Sequence, residues 1–97
     1  MKILNPWNGA TIADVATDDA RSVAAKYRAA RAAQPRWAAM PIRKRIETIA
    51  RFRERIVALE ETLARTLTHE VGKPIRQSRN ELKGLLASAR ERLADAD

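Results

Sequence analysis

Apolar side chains recur at steps of three and four along the middle of the chain: Ile42, Ile46, Ile49, Phe52, Ile56, Leu59, Leu63 and Leu67. That spacing puts them on one face of a helix and makes this stretch the clearest amphipathic pattern in the sequence. Pro41 stands at its start, where a helix accepts proline, and Gly72 at its end, where a left-handed cap is needed. The run is long for one globular helix, so a bend near Val57 is allowed for. Upstream, Thr17, Asp18 and Asp19 offer an N-cap and acidic first-turn residues, and Val23, Tyr27 and Ala30 follow at helical spacing. The first helix is therefore predicted over Asp18 to Ala33, interrupted by Gln34-Pro35, with Trp37 beyond it plugging a gap between helices. Downstream, Pro74 opens a further helix whose apolar side is Ile75, Leu82, Leu85, Leu86, Ala89 and Leu93. Gly84 lies inside it and is expected to mark close helix packing.

The first 16 residues follow a different rhythm. Ile3-Leu4 precedes the turn-rich Asn5-Pro6-Trp7-Asn8-Gly9, and Thr11-Ile12-Ala13-Asp14-Val15 alternates with β-branched residues enriched. This pattern predicts a β-hairpin over residues 1–16 with Asn8-Gly9 at its turn. The expected architecture is mainly α: three main helices over residues 17–97 behind an N-terminal hairpin, in a single segment. A lone hairpin is marginal in water and needs a surface to lie on.

Composition narrows the chemistry. The 97 residues suit one small domain with a thin core, since 45% are hydrophobic but only 4% aromatic. There is no cysteine, which excludes disulfides, thiolate metal sites and a cysteine nucleophile. No stretch approaches the roughly 20 apolar residues of a membrane span, and no signal-peptide core is present, so a cytoplasmic protein without membrane contact is expected. The formal charge is +7, from 19 Lys and Arg against 12 Asp and Glu. Its basic residues are interleaved with glutamates, and the densest run is only Arg43-Lys44-Arg45, so a nucleic-acid partner is disfavoured.

Local motifs fail as catalytic sites. Gly72-Lys73 lacks a phosphate loop, because Leu67 and Pro74 stand where that loop needs Gly and Ser or Thr. Three glycines, Gly9, Gly72 and Gly84, cannot build a dinucleotide fingerprint. His69-Glu70 has Lys73 where a zinc helix needs its second histidine. Glu54, Glu60 and Glu61 sit among Arg51, Arg55 and Arg65 as a solvated ion-pair network. No catalytic, cofactor-binding or metal-binding residue is assigned on these grounds.

Three stretches together resemble the start of an aldehyde dehydrogenase. Asn5-Pro6-Trp7-Asn8-Gly9, with Ile12 and Val15, is similar to that family's Asn-Pro-x-x-Gly turn between strands. Ala32-Ala33-Gln34-Pro35-Arg36-Trp37 followed by Pro41, Arg45, Ile49 and Phe52 is similar to its tryptophan and Pro-x-x-x-Arg helix entry. His69-Glu70-Val71-Gly72-Lys73-Pro74, then Ser78 and Glu81, looks like its Glu-x-Gly-Lys-Pro junction. Ala10 departs from the usual Thr or Glu after the turn glycine. The resemblance implies a fragment of an α/β aldehyde dehydrogenase fold whose hairpin and helices pack around the nucleotide-binding domain. It implies NAD or NADP for a full-length member, in which a cysteine thiolate attacks the aldehyde and a glutamate activates water. Those residues match nothing in this chain, which is expected to be a truncated or dissected N-terminal portion, not catalytic by itself. Some members hold a monovalent cation at positions matching Ile3, Leu4 and Glu70; the rest of that site needs later sequence, so it is not assigned. The expected partner is the remainder of such a chain. A free-standing module that self-associates or binds a partner through its apolar helix faces stands as the alternative.

Overall fold

A computed structural model describes residues 1–96. Two short strands, β1 (Lys2–Leu4) and β2 (Thr11–Asp14), precede four helices: α1 (Ala20–Ala39), α2 (Ile42–Ala58), α3 (Glu60–Val71) and α4 (Ile75–Ala96). The fold is thus mainly helical behind an N-terminal hairpin, as the sequence predicts, with four helices where the pattern suggests three main ones.

The strands pair antiparallel with Lys2 opposite Asp14 and Ile3 opposite Ala13, and the register slips between Ile3 and Leu4. A six-residue loop joins them. Its backbone closes on itself, Gly9 N donating to Asn5 O and Asn5 N to Ala10 O, both at 2.8 Å. The Asn5 and Asn8 carboxamides each accept from the backbone two residues on, at Trp7 N and Ala10 N. Gly9 supplies the left-handed residue (φ 72°) that lets the loop turn back.

The first helix begins at Ala20 rather than Asp18. Asp19 caps it in a reciprocal box with Ser22, so neither aspartate lies within the first turn. The helix also reads through Pro35, where the sequence suggests an interruption, and Trp37 is a half-buried residue of the same helix. Proline costs one backbone bond, but the flanking alanines are the strongest helix formers and carry the chain across it. Pro41 is what ends the helix: Met40, immediately before it, is extended at ψ 139° because a residue preceding proline is pushed out of the helical region.

The long amphipathic run divides at Leu59, just past the anticipated bend. Leu59 has φ −107° and ψ 10°, and its N–H is shared among the Arg55, Ile56 and Val57 carbonyls. Glu60 and Glu61 then open α3, where carboxylates favour the positive end of the helix. Gly72, at φ 76° and ψ 10°, closes α3 with its N–H on Thr68 O. The chain re-enters helix through Pro74, as its fixed φ favours.

The core lies where α4 packs on α3 and α2. Its buried apolar residues are Ala64, Leu82 and Leu86, joined by Ser78 at zero exposure. Arg53 ties α2 to α4 by donating from Nε to the Leu86 carbonyl at 3.0 Å. Gly84 does not mark a close helix contact: a Cβ added there would meet nothing within 4 Å. The outline is flat and open, 48 × 37 × 16 Å with a radius of gyration of 17.4 Å. A compact chain of this length would measure about 13 Å. Accessible area agrees. The chain exposes 7909 Å², whereas a compact monomer of its mass would expose about 5,600 Å².

Candidate functional site

Two of the sequence motifs, far apart in the chain, meet in space. The hairpin loop lies on the junction between α3 and α4, and together they line an open groove of about 500 Å³. Asn5, Trp7 and Asn8 come from the loop; Thr68, His69, Gly72, Lys73 and Pro74 come from the junction.

Beside the groove, Pro6 of the loop lies against Gly72 of the junction. A Cβ built on Gly72 would stand 2.9 Å from Pro6 Cγ, closer than non-bonded carbons approach. Glycine is therefore required twice here, by its left-handed backbone and by the proline ring seated over it. On the inner side of the junction the Thr68 and Ser78 hydroxyls bond each other at 2.8 Å, which satisfies the fully buried Ser78. Lys73 pairs with Glu81 in the second turn of α4. Glu61 of α3 takes a two-point contact from Arg79 of α4, at 3.0 Å and 2.7 Å. Arg65 adds a third contact to Glu61 at 3.2 Å. The Arg79 contact, helped by the nearby Arg65 charge, holds the Glu61 carboxyl below its ordinary range.

This arrangement fixes the angle between α3 and α4 and seats the hairpin on it. Its paired side chains satisfy one another, and the groove brings no nucleophile against a base among the described residues. Trp7 is the outlier, 90% exposed at the rim. Of the positions matched to a cation site by resemblance, Ile3 and Leu4 lie in β1 and Glu70 in the last turn of α3. None of the three lines the groove. Sequence reasoning singles out both motifs but not their meeting through Pro6 and Gly72. Nor does it find the Thr68–Ser78 bond, whose spacing of ten residues across a helix break carries no periodic signal.

The chain belongs to the aldehyde dehydrogenase family, which it matches over residues 1–97. Among curated proteins it is similar to N-succinylglutamate 5-semialdehyde dehydrogenase 1 of Caulobacter vibrioides, at 37% identity over 83 residues. That stretch covers 86% of this chain and 18% of the relative. It is also similar to the N-succinylglutamate 5-semialdehyde dehydrogenase of Chromobacterium violaceum, at 37% identity over 80% of this chain and 16% of that one. The protein of the same name from Sphingopyxis alaskensis is 40% identical over 65% of this chain and 13% of its own. The chain thus spans less than a fifth of the length of these relatives. No solved structure matches it. Among the described residues, no helix is long and apolar enough to cross a membrane.

Proposed function

We propose that this chain is the N-terminal structural portion of an NAD(P)-dependent aldehyde dehydrogenase and is not catalytic by itself. The substrate class follows the relatives, whose names specify an N-succinylglutamate semialdehyde. In this reading the full-length protein is a cytoplasmic oxidoreductase that takes NAD or NADP. The segment's task is to present a rigid unit, hairpin on helix junction, to the body that carries the chemistry.

One observation carries the reading. The Asn-Pro turn and the Gly-Lys-Pro junction, the two family-like motifs furthest apart in sequence, seat on each other through Pro6 and Gly72. Side chains in that unit satisfy each other, which fits a scaffold better than a reaction centre. A chimera tests it. In the Caulobacter vibrioides relative, the aligned N-terminal stretch is replaced by this chain, and aldehyde-dependent reduction of NAD and NADP is followed. An active chimera, with the isolated chain inert, is expected. Measurable turnover by the isolated chain, or a chimera that folds but is dead, overturns the reading.

The alternative, a free-standing helical module, draws on the exposed apolar faces. It predicts reversible self-association of the isolated chain. A nucleic-acid role has only the +7 charge behind it, and absence of retention on DNA at low salt removes it.

A further inference from the structure

Charge is unevenly shared among the helices. Helices α2, α3 and α4 mix acidic with basic residues, and several of their carboxylates are used within the chain. Glu47 meets Lys44, Glu61 meets Arg65 and Arg79, and Glu81 meets Lys73. Helix α1 differs: it carries Arg21, Lys26, Arg28, Arg31 and Arg36 and no acidic residue over its 20 positions. Lys26 reaches back to Asp18, ahead of the helix. The four arginines are exposed, and their side chains make no ion pair or hydrogen bond among the described residues. They stand at steps of seven, three and five, which gathers them within about 140° of the helix surface along about 22 Å. Val23, Tyr27 and Trp37 fall on the opposite side. A body that covers those apolar residues therefore leaves the arginine face open.

We propose that the arginine face of α1 docks an acidic helix of a partner protein, with carboxylates set against Arg21, Arg28, Arg31 and Arg36. Guanidinium groups suit this chemistry, since each can take a carboxylate at two points in a planar fork, which lysine cannot. Ala24, Ala25, Ala32 and Pro35 are the residues between the arginines on that face. They are small enough for a second helix to lie close, at an axis separation of about 8–10 Å. They also offer no aromatic surface for a base to stack on and no amide to read a base edge, which favours a protein over a nucleic acid. A lipid surface fits less well. An interfacial helix sinks its apolar side, and on α1 that turns the arginines away from the headgroups. A second copy brings the same cations and no carboxylate on α1, so like charges oppose that pairing. Exposed ion pairs are individually weak, so the contact is a salt-sensitive sum over the four arginines. None of the four lines the groove of the hairpin and junction.

The test uses the 97-residue chain and two fluorescent, alanine-based helical peptides of equal length, each with four glutamates. In the matched peptide the glutamates follow steps of five, three and seven, the order that faces α1 when the two helices run antiparallel. In the control peptide they are spread evenly around the helix. Fluorescence anisotropy at low salt should show the matched peptide bound at least about fivefold more tightly, with the difference gone at high salt. Arg28→Glu with Arg31→Glu should abolish the preference. Arg51→Glu with Arg55→Glu on α2, the same change in net charge, should leave it within about twofold. Circular dichroism of the variants, unchanged from the parent, shows that they fold alike, and the comparison of the two peptides on the parent chain needs no variant. Equal affinity for the two peptides, or equal losses in the two double variants, assigns binding to net charge alone and overturns the proposal. Failure of both peptides to bind overturns it as well. A DNA duplex or anionic vesicles bound more tightly than the matched peptide, with that binding lost in Arg28→Glu with Arg31→Glu, give the face to nucleic acid or lipid and overturn the acidic helix.

Discussion

Replacing Gly72 by Ala tests whether the hairpin is truly seated on the helix junction. Two separable penalties follow from the geometry. Gly72 sits at φ 76°, a left-handed conformation that costs an L residue roughly 1–2 kcal/mol. The new Cβ would also lie 2.9 Å from Pro6 Cγ, and forcing an extra methyl into such contact costs about 1–3 kcal/mol. The substitution should therefore destabilise by about 2 to 5 kcal/mol, a large share of the margin of a small chain. Pro6→Ala separates the terms, since it removes Cγ and leaves a Cβ 3.8 Å from where the new methyl would stand, an ordinary contact. In that background Gly72→Ala should cost only the backbone term, leaving a coupling of about 1–3 kcal/mol in a double-mutant cycle. Urea melts followed by far-ultraviolet circular dichroism, in a stabilising osmolyte, provide the free energies. An identical cost in both backgrounds would refute the seating of Pro6 on Gly72.

Other substitutions probe independent parts of the argument. Gly84→Ala should stabilise by about 1 kcal/mol in the same melts, because the site is helical and open; a loss would mean that α4 is tightly packed there. Ser78→Ala should destabilise by about 1–2 kcal/mol by stranding the Thr68 hydroxyl, and adding Thr68→Val should recover much of that loss. Glu61 is held below the ordinary glutamate range by Arg79, so its contribution is present above that range and fades as pH falls through the lowered value. Acid melts of Glu61→Gln should accordingly show a smaller loss of stability on acidification than the parent, and high salt should shrink the difference. Equal acid sensitivity of the two proteins would remove Glu61 from the account.

The parts of the fold legible in the sequence are those governed by neighbours in the chain. An N-cap among Thr17 to Asp19 is legible, though α1 starts two residues later than the pattern suggests, Gly72 ends α3 through its own backbone, and Asn8-Gly9 marks the hairpin loop. Proline and glycine, read singly, mislead twice. Pro35 suggests a stop in a helix that surrounding alanines sustain, and Gly84 suggests a contact that does not exist. The break at Leu59 reads in sequence only as a bend, since no cap residue announces it and the acidic pair Glu60-Glu61 is its one local sign. The site is half legible. Its two motifs stand out in sequence, but the contact of Pro6 with Gly72 spans sixty-six positions and no periodicity encodes it.

Hydrophobic periodicity records which face a helix must bury, without recording what buries it. For α4 the two agree in part: Leu82 and Leu86 lie on the predicted side and are buried, while Leu85, assigned to the same side, is 52% exposed. For α2 they part, because the most regular stripe in the sequence encloses no buried residue at all. Propensity alone does not account for such a stripe, since a surface helix has no use for isoleucine and phenylalanine at every third and fourth place. Weak packing does not account for it either, because Arg53 anchors the adjacent side of α2 to α4 by a specific bond. What remains is a stripe in which Ile42, Ile49 and Phe52 stay exposed while Ile46 and Ile56 are half-buried. A helix built this way carries more apolar surface than its own contacts cover, so its periodicity is a record of amphipathicity and not of burial.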